Sequence, residues 1–334
     1  MLGMLTPFLL WLVPSDMVSN LNDPVQKPRE QRKKQSEVFV EALYLKPYED
    51  GLRYAEDIEQ DGPIISKYKP INQRFRYEFG FRVGAAFPIH CDEWRIGANW
   101  MYFSPSPGSV HKSSKDQSII AGLITSIDGL PNANEFVGHV KGHWEFTLNS
   151  IDLTLSRCFI PTPHWMVTPS AGVKFGSVYQ HVRVRYHDVL ITNADADTPT
   201  KVRGKNQMYG VGPLLGLNAT YWMPHHWGIM VAGEVAFLFE NFDTKTNYRD
   251  FTTIPDGKIN MKNDLHRIGL VEQLQISLNK KWVFHPLDFE LRLGWELQIW
   301  KQQMRLDWFS TLVNQLGGED LVLSGPFLNA TFHF

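Results

Sequence analysis

From Leu287 to Trp300 the chain alternates without interruption. Leu287, Phe289, Leu291, Leu293, Trp295, Leu297 and Ile299 are apolar, and Asp288, Glu290, Arg292, Gly294, Glu296 and Gln298 stand between them. A two-residue period puts the first set on one face of a strand and the charges on the other, whereas a helix would spread those charges round every side. Phe75 to Phe87 repeats the pattern, with Phe75, Tyr77, Phe79, Phe81, Val83, Ala85 and Phe87 against Arg76, Glu78, Gly80, Arg82, Gly84 and Ala86. The C-terminal stretch has Val322, Pro326, Leu328, Ala330, Phe332 and Phe334 on one side and Asn329, Thr331 and His333 on the other. A soluble chain rarely finishes a strand on an aromatic residue, because termini fray. A strand that closes a membrane barrel can end there, and Phe332 and Phe334 read as the assembly signal for the barrel-assembly machinery.

Further strands are expected at Val38 to Lys46, Trp94 to Phe103, Asn149 to Phe159, Trp165 to Gly176, Tyr209 to Tyr221, Trp227 to Glu240 and Leu265 to Asn279. That makes ten, with twelve as the alternative count, and each approaches or exceeds the roughly 9–11 residues that cross a bilayer at a tilt. The fold class expected is an all-β transmembrane antiparallel barrel. In the Leu265 to Asn279 strand Glu272 shares the apolar face; a carboxylate at mid-depth on lipid is costly, so a bulge, a subunit contact or a shifted register is expected there.

The connections alternate in length. Pro88 to Glu93, Ile160 to His164, Met223 to His226 and Lys280 to Pro286 are short, whereas Pro47 to Arg74, Ser104 to Leu148, Gln180 to Gln207, Asn241 to Asp264 and Lys301 to Asp320 are long. Outer-membrane barrels have short periplasmic turns and long extracellular loops. The short turns are flanked by Phe87 and Trp94, Phe159 and Trp165, Tyr221 and Trp227, and Trp282, a ring of amphipathic side chains suited to headgroup depth. A water-soluble sandwich or lipocalin-like barrel would also alternate, but with its charges outside and without tryptophan at nearly every turn on one side.

Composition agrees. A formal charge of -2 argues against a nucleic-acid partner. With a mean hydropathy of -0.25 no stretch beyond the first fourteen residues could span as a helix, so membrane residence would need strands diluted by polar residues. Leu2 to Val13 reads as the hydrophobic region of a signal peptide, although no Lys or Arg precedes it and no Ala-x-Ala site follows. Residues 1–19 are assigned as signal peptide, 20–36 as a disordered periplasmic tail rich in Pro, Lys and Arg, and 37–334 as the barrel. Neither Cys91 nor Cys158 has metal-ligand spacing, and no cofactor motif is present. In an oxidising compartment an intrachain disulfide, an intermolecular crosslink and two thiols all stay open.

With apolar side chains on lipid, the lumen is expected to be lined by Arg76, Glu78, Arg82, Arg95, Asn99, Asp152, Lys174, Glu234, Arg267, Glu290, Arg292 and Glu296. Both signs are present, which allows a crosslinked interior or a hydrated channel. Ten strands lie nearer the side-chain-filled size than the channel size. The inward glycines suit curvature and close packing. In the second long connection, Ile119, Ile120, Leu123, Ile124 and Ile127 fit a short helix, expected to fold into the mouth as a constriction.

The stretches Glu37 to Tyr48, Phe79 to Pro88 with Asp92-Glu-Trp94, and above all Asn149-SIDLTLSRCFIPTPHWMVTPSAGVKFG-Ser177 resemble the major outer-membrane protein family of Legionella and environmental chlamydiae, the pore-forming outer-membrane proteins. The resemblance runs from about Val38 to Phe334. It implies residence in the bacterial outer membrane, porin-like permeability, abundance at the surface and host-cell attachment through the outer loops; in chlamydial envelopes cysteine crosslinking rigidifies the coat. The leading expectation is passive diffusion of ions and small hydrophilic solutes, and its rival is a surface adhesin or structural envelope barrel with a plugged lumen. Expected partners are outer-membrane lipid, small solutes, and either further copies of the chain or a host surface. A hydrolase would need an acid/base pair at the rim; His187-Asp188 and Asp264/His266 are the candidates, with no nucleophile elbow or metal motif beside them.

Overall fold

The computed structural model describes residues 35–49, 52–61, 64–89, 94–106, 108–113, 119–121, 136–190, 200–250, 257–284, 287–304 and 319–334. Among them fourteen strands form one sheet: β1 (Glu37–Glu49), β2 (Arg53–Asp61), β3 (Ile64–Asn72), β4 (Glu78–Pro88), β5 (Trp94–Phe103), β6 (Gly108–Ser113), β7 (Ile119–Ala121), β8 (Phe136–Arg157), β9 (Trp165–Leu190), β10 (Thr200–Met223), β11 (Trp227–Asp250), β12 (Gly257–Val283), β13 (Asp288–Met304) and β14 (Glu319–His333). Ten of them close a cylinder in the order β1-β4-β5-β8-β9-β10-β11-β12-β13-β14, every neighbouring pair antiparallel. The seam is β1 against β14, with Val38 opposite Phe332, and it is fastened by Ser36 N to Phe334 O at 2.9 Å and Phe334 N to Ser36 O at 3.0 Å. Closure removes the unpaired edges that a sheet in hydrocarbon could not leave open.

The ten barrel strands are those the alternation marks out, but five run well beyond their expected ends. β8 to β12 contain 22, 26, 24, 24 and 27 residues, so about half of β8 and β9 and about a third of β10, β11 and β12 stand above the membrane. Much of what was expected as loop is therefore strand. Gln180 to Gln207 holds the outer parts of β9 and β10, and Asn241 to Asp264 those of β11 and β12. Pro47 to Arg74 contains the β2–β3 hairpin, and Ser104 to Leu148 contains β6, β7 and the start of β8. The expected helix near residue 119 is also corrected: Ile119 to Ala121 is a buried strand paired with β2 and β8, while 122–127 lies outside the described residues.

The physical reason is an inversion of the wall. On the outward face the row Ile151–Phe175–Val211–Phe239–Ile268, each residue opposite the next, is followed two residues up by Asn149–Ser177–Tyr209–Asn241–His266, and above that row this face is polar. At the same level the inward face turns apolar, with Leu148, Val178, Met208 and Phe242 all buried. Below the line the sheet is greasy outside and carries its charges inside, with Leu214, Ala236, Leu238 and Val271 the inward apolar residues nearest the line; above it the sheet is built like a water-soluble barrel. Glu272 sits below the line, opposite Val235 and Ile299 with no bulge or register shift, half-buried in a shallow groove of about 470 Å³ with Leu215, Leu217 and Gly233.

Candidate functional site in the barrel lumen

Alternation sends Glu41, Arg82 and Glu296 inward from β1, β4 and β13, and they meet. Arg82 donates through Nη2 to Glu296 Oε1 at 2.7 Å and through Nη1 to Glu296 Oε2 at 3.0 Å, and its Nη1 also contacts Glu41 Oε1. Since β1 and β14 stand between β4 and β13 in the wall, this guanidinium links strands that are not neighbours. Glu296 further accepts from Gln275 Nε2 at 2.7 Å and from Gln298, and Glu41 Oε2 from Asn329 Nδ2 at 3.0 Å. Lys174 and Asp152 pair at 2.7 Å, and both are buried. Nearer the periplasm, Arg292 Nε donates to Glu290 at 2.9 Å, His333 lies 3.5 Å from Glu290, and Arg95 reaches Glu37 at 2.9 Å. Buried charges persist only when paired and hydrogen-bonded, and the Glu296 side chain is 0% exposed.

Above this ionic layer lies an apolar one. Leu43, Leu45, Phe103, Phe146, Phe242, Trp300, Leu321 and Leu323 point inward and are shut off from solvent. Trp300 Nε1 donates to Gln298 Oε1 at 3.1 Å, which satisfies the one polar atom of the ring. β2 packs against the inner face of β8 and β9: Tyr186 Oη donates to the Tyr54 carbonyl at 2.6 Å, Tyr54 Oη donates to Gln73 Oε1 at 2.8 Å, and the Tyr54 ring lies on Gly142. Leu52, Tyr54 and Ala55 thereby join the same cluster. An ion-paired layer and then this buried apolar cluster thus follow one another along the described part of the lumen.

A family model described as Legionella pneumophila major outer membrane protein precursor matches residues 28–334. The chain belongs to that family. Its members' location and this closed barrel agree, and the protein resides in the bacterial outer membrane. Of the curated proteins compared, none matches. Among solved structures, the outer-membrane protease OmpT from Escherichia coli is 9% identical over 90% of this chain and 96% of its own, with a TM-score of 0.47. The CymD monoaromatic hydrocarbon channel is 8% identical over 91% and 90%, at 0.33, and the Pseudomonas putida toluene transporter TodX 9% over 90% and 88%, at 0.28. The assignment of the fold rests on the strand pairing itself, not on these similarities.

In this major outer-membrane-protein family member, Arg82, Asp152, Lys174, Glu290, Arg292 and Glu296 are drawn into the ion pairs above. Arg95 is partly buried at the periplasmic end, and Asn99 faces inward with its Oδ1 buried. Glu234 lies in electrostatic reach of Lys174, Asp152 and Arg82. Arg267 is at the upper layer, bound to Glu240 at 2.7 Å and to Gln302 Oε1 at 2.7 Å, with its guanidinium over the Phe242 ring. Arg76 is exposed in the segment before β4, where with Glu78, Pro47, Phe75 and Trp144 it lines a cavity of about 220 Å³ beside the apolar cluster. Cys158 is half-buried after β8, whereas Cys91 lies outside the described residues. Phe332 lies tilted at 44° against Phe289, which stacks on Trp282. His187 opposes His139, and Asp264 pairs with Lys262; the Asp188 side chain is outside the described residues. Sequence reasoning missed Glu41 and the whole apolar cluster, although Trp300 in the phase of Gln298 and Leu43 in the phase of Glu41 carry the signal.

Proposed function

We propose that the chain works as a closed, non-catalytic outer-membrane barrel, an envelope protein whose lumen is held shut and whose working part is the wall it raises above the membrane. The observation that supports this reading is the stacking of two buried layers, the Arg82 network and the apolar cluster around Trp300, in one ten-stranded cylinder. The test is conductance of the refolded protein in a planar bilayer. A folded barrel that stays silent supports the reading; steady openings in the native chain overturn it.

Passive diffusion of ions and small hydrophilic solutes is the second reading. It draws on the ionic layer itself, because well-packed apolar residues of similar volume would seal a barrel at least as stably. On this reading the apolar cluster moves aside and Arg82, Asp152, Lys174 and Glu296 line the path. Openings that change size in Arg82→Ala would favour it.

A further inference from the structure

The outward face of the raised wall carries a ladder of like charges. Lys141 of β8 stands directly opposite Arg185 of β9, Arg185 opposite Lys201 of β10, and Lys201 opposite Arg249 of β11. Two residues lower, Arg183 opposes Arg203; two lower again, Lys205 opposes Lys245. Like charges directly across a strand pair are destabilising, so this order is not explained by the stability of the sheet. Acidic residues relieve part of it: Glu145 lies 3.5 Å from Arg183, and Asp243 3.2 Å from Lys245. Among the described residues Lys141, Arg185, Arg203 and Lys205 are exposed and make no ion pair. The whole chain has a formal charge of -2, so the excess is local to this wall.

Height identifies what the ladder meets. The outward face leaves hydrocarbon at the row through Asn149, Ser177 and Tyr209, and the lowest cations, Lys205 and Lys245, are four residues further along the strands. At about 3.3 Å per residue and a tilt of about 40°, that is about 10 Å above the line, and the row through Lys141 and Arg185 is at about 20 Å. The polar zone of a phospholipid leaflet is only about 5–7 Å deep. Phospholipid headgroups therefore end below the ladder. We infer that the basic wall of β8 to β11 binds an outer-leaflet glycolipid through phosphate groups carried on its saccharide. This goes beyond the closed-barrel reading and holds whether or not the lumen conducts.

The test uses the full chain refolded in detergent and three probes: a phosphorylated lipopolysaccharide, the same material after removal of its phosphates, and heparin. The variant is Arg185→Gln with Arg203→Gln and Lys205→Gln, all outward and exposed, with folding checked by the gel shift between unheated and boiled samples. At about 1 kcal/mol per cation near an anionic surface, the triple variant is expected to weaken lipopolysaccharide binding on the order of a hundredfold. Dephosphorylation should weaken binding to the native chain comparably, and added salt should weaken the native complex more than the variant's. Unchanged binding by a folded variant, or full binding of the dephosphorylated probe, overturns the inference. Heparin bound more tightly than lipopolysaccharide would assign the wall to a soluble polysaccharide and overturn it as well.

Discussion

Trp300 of β13 lies edge-on against the backbone of Gly176 on β9, across the lumen, so closely that a Cβ at residue 176 would stand 2.8 Å from Cζ3 of the indole. Gly176→Ala should push the ring off its seat and cost about 1–3 kcal/mol. Trp300→Ala removes the largest fully buried side chain of the apolar cluster and should cost about 3–5 kcal/mol. Urea unfolding in lipid vesicles, followed by tryptophan emission for the first variant and by gel mobility for both, measures the two losses. Smaller effects for both would mean that the cluster is loosely packed.

Arg82 holds two carboxylates at once, Glu41 directly opposite it on the neighbouring β1 and Glu296 on β13 beyond β14. Arg82→Ala leaves both buried without their cation and should destabilise by about 3–5 kcal/mol. Combining Arg82→Met with Glu41→Gln and Glu296→Gln should restore most of that stability, because the charge and its partners leave together. If the triple variant is as weak as the single one, the network contributes by shape rather than by charge balance.

Acid should loosen the raised wall in two stages. Burial and then the Arg183 charge hold the His181 imidazole below its ordinary 6.5, although Glu145 opposes them. At Glu145 burial pushes the carboxyl up, but the hydrogen bond from His143 and the charges of Arg183 and His181 outweigh it and leave the group below 4.5. Both groups are depressed on folding, so each contributes stability that is present above its unfolded value and lost as pH falls towards the folded one. The first loss begins below pH 6.5 and the second below pH 4.5. His181→Gln should flatten the upper stage of a melting-temperature profile and leave the lower one; an unaltered profile would count against the assignment.

The β10–β11 turn places His225 at φ 60° and His226 at φ 61°, a left-handed pair that side chains other than Gly and Asn adopt at a cost. His225→Asn with His226→Gly should stabilise the barrel by about 1 kcal/mol. The Lys280 contact to the His225 carbonyl is to backbone and should survive. Thermal unfolding of the double variant reads this directly.

Relief of the cationic ladder should have the unusual sign. In detergent free of glycolipid, Arg185→Gln removes a charge facing both Lys141 and Lys201 and should raise stability by about 0.2–1 kcal/mol. A drop on the same assay would show that the arginine stem supplies packing instead.

The ten barrel strands were legible because hydrocarbon enforces one phase: Leu291, Leu293 and Trp295 must face out, and Glu290, Arg292 and Glu296 must face in. The upper wall was not legible by the same rule, since above Ser177 the apolar Val178, Val182 and Val184 take the inward phase and Arg183 and Arg185 the outward one. A search for greasy-outside strands stops where the solvent changes. The lumen was half legible. Alternation gives Arg82 and Glu296 the same inward side but not the fact that they meet, because their partnership depends on the closing order of strands 214 residues apart. Arg76 stands ahead of its strand for a simpler reason: the alternation reaches back beyond Glu78, the residue at which β4 begins.

The switch of phase also acts as a depth gauge. Sliding the barrel by one residue pair, about 5 Å along the membrane normal, would drown the Asn149–Ser177–Tyr209–Asn241 row in hydrocarbon or lift the Ile151–Phe175–Val211–Phe239 row into water. Either move is penalised on several strands at once, and inside the cylinder nothing compensates. The bilayer, being the softer partner, must thin or thicken to meet the protein. A dense population of such barrels would impose its own thickness on the leaflets around it.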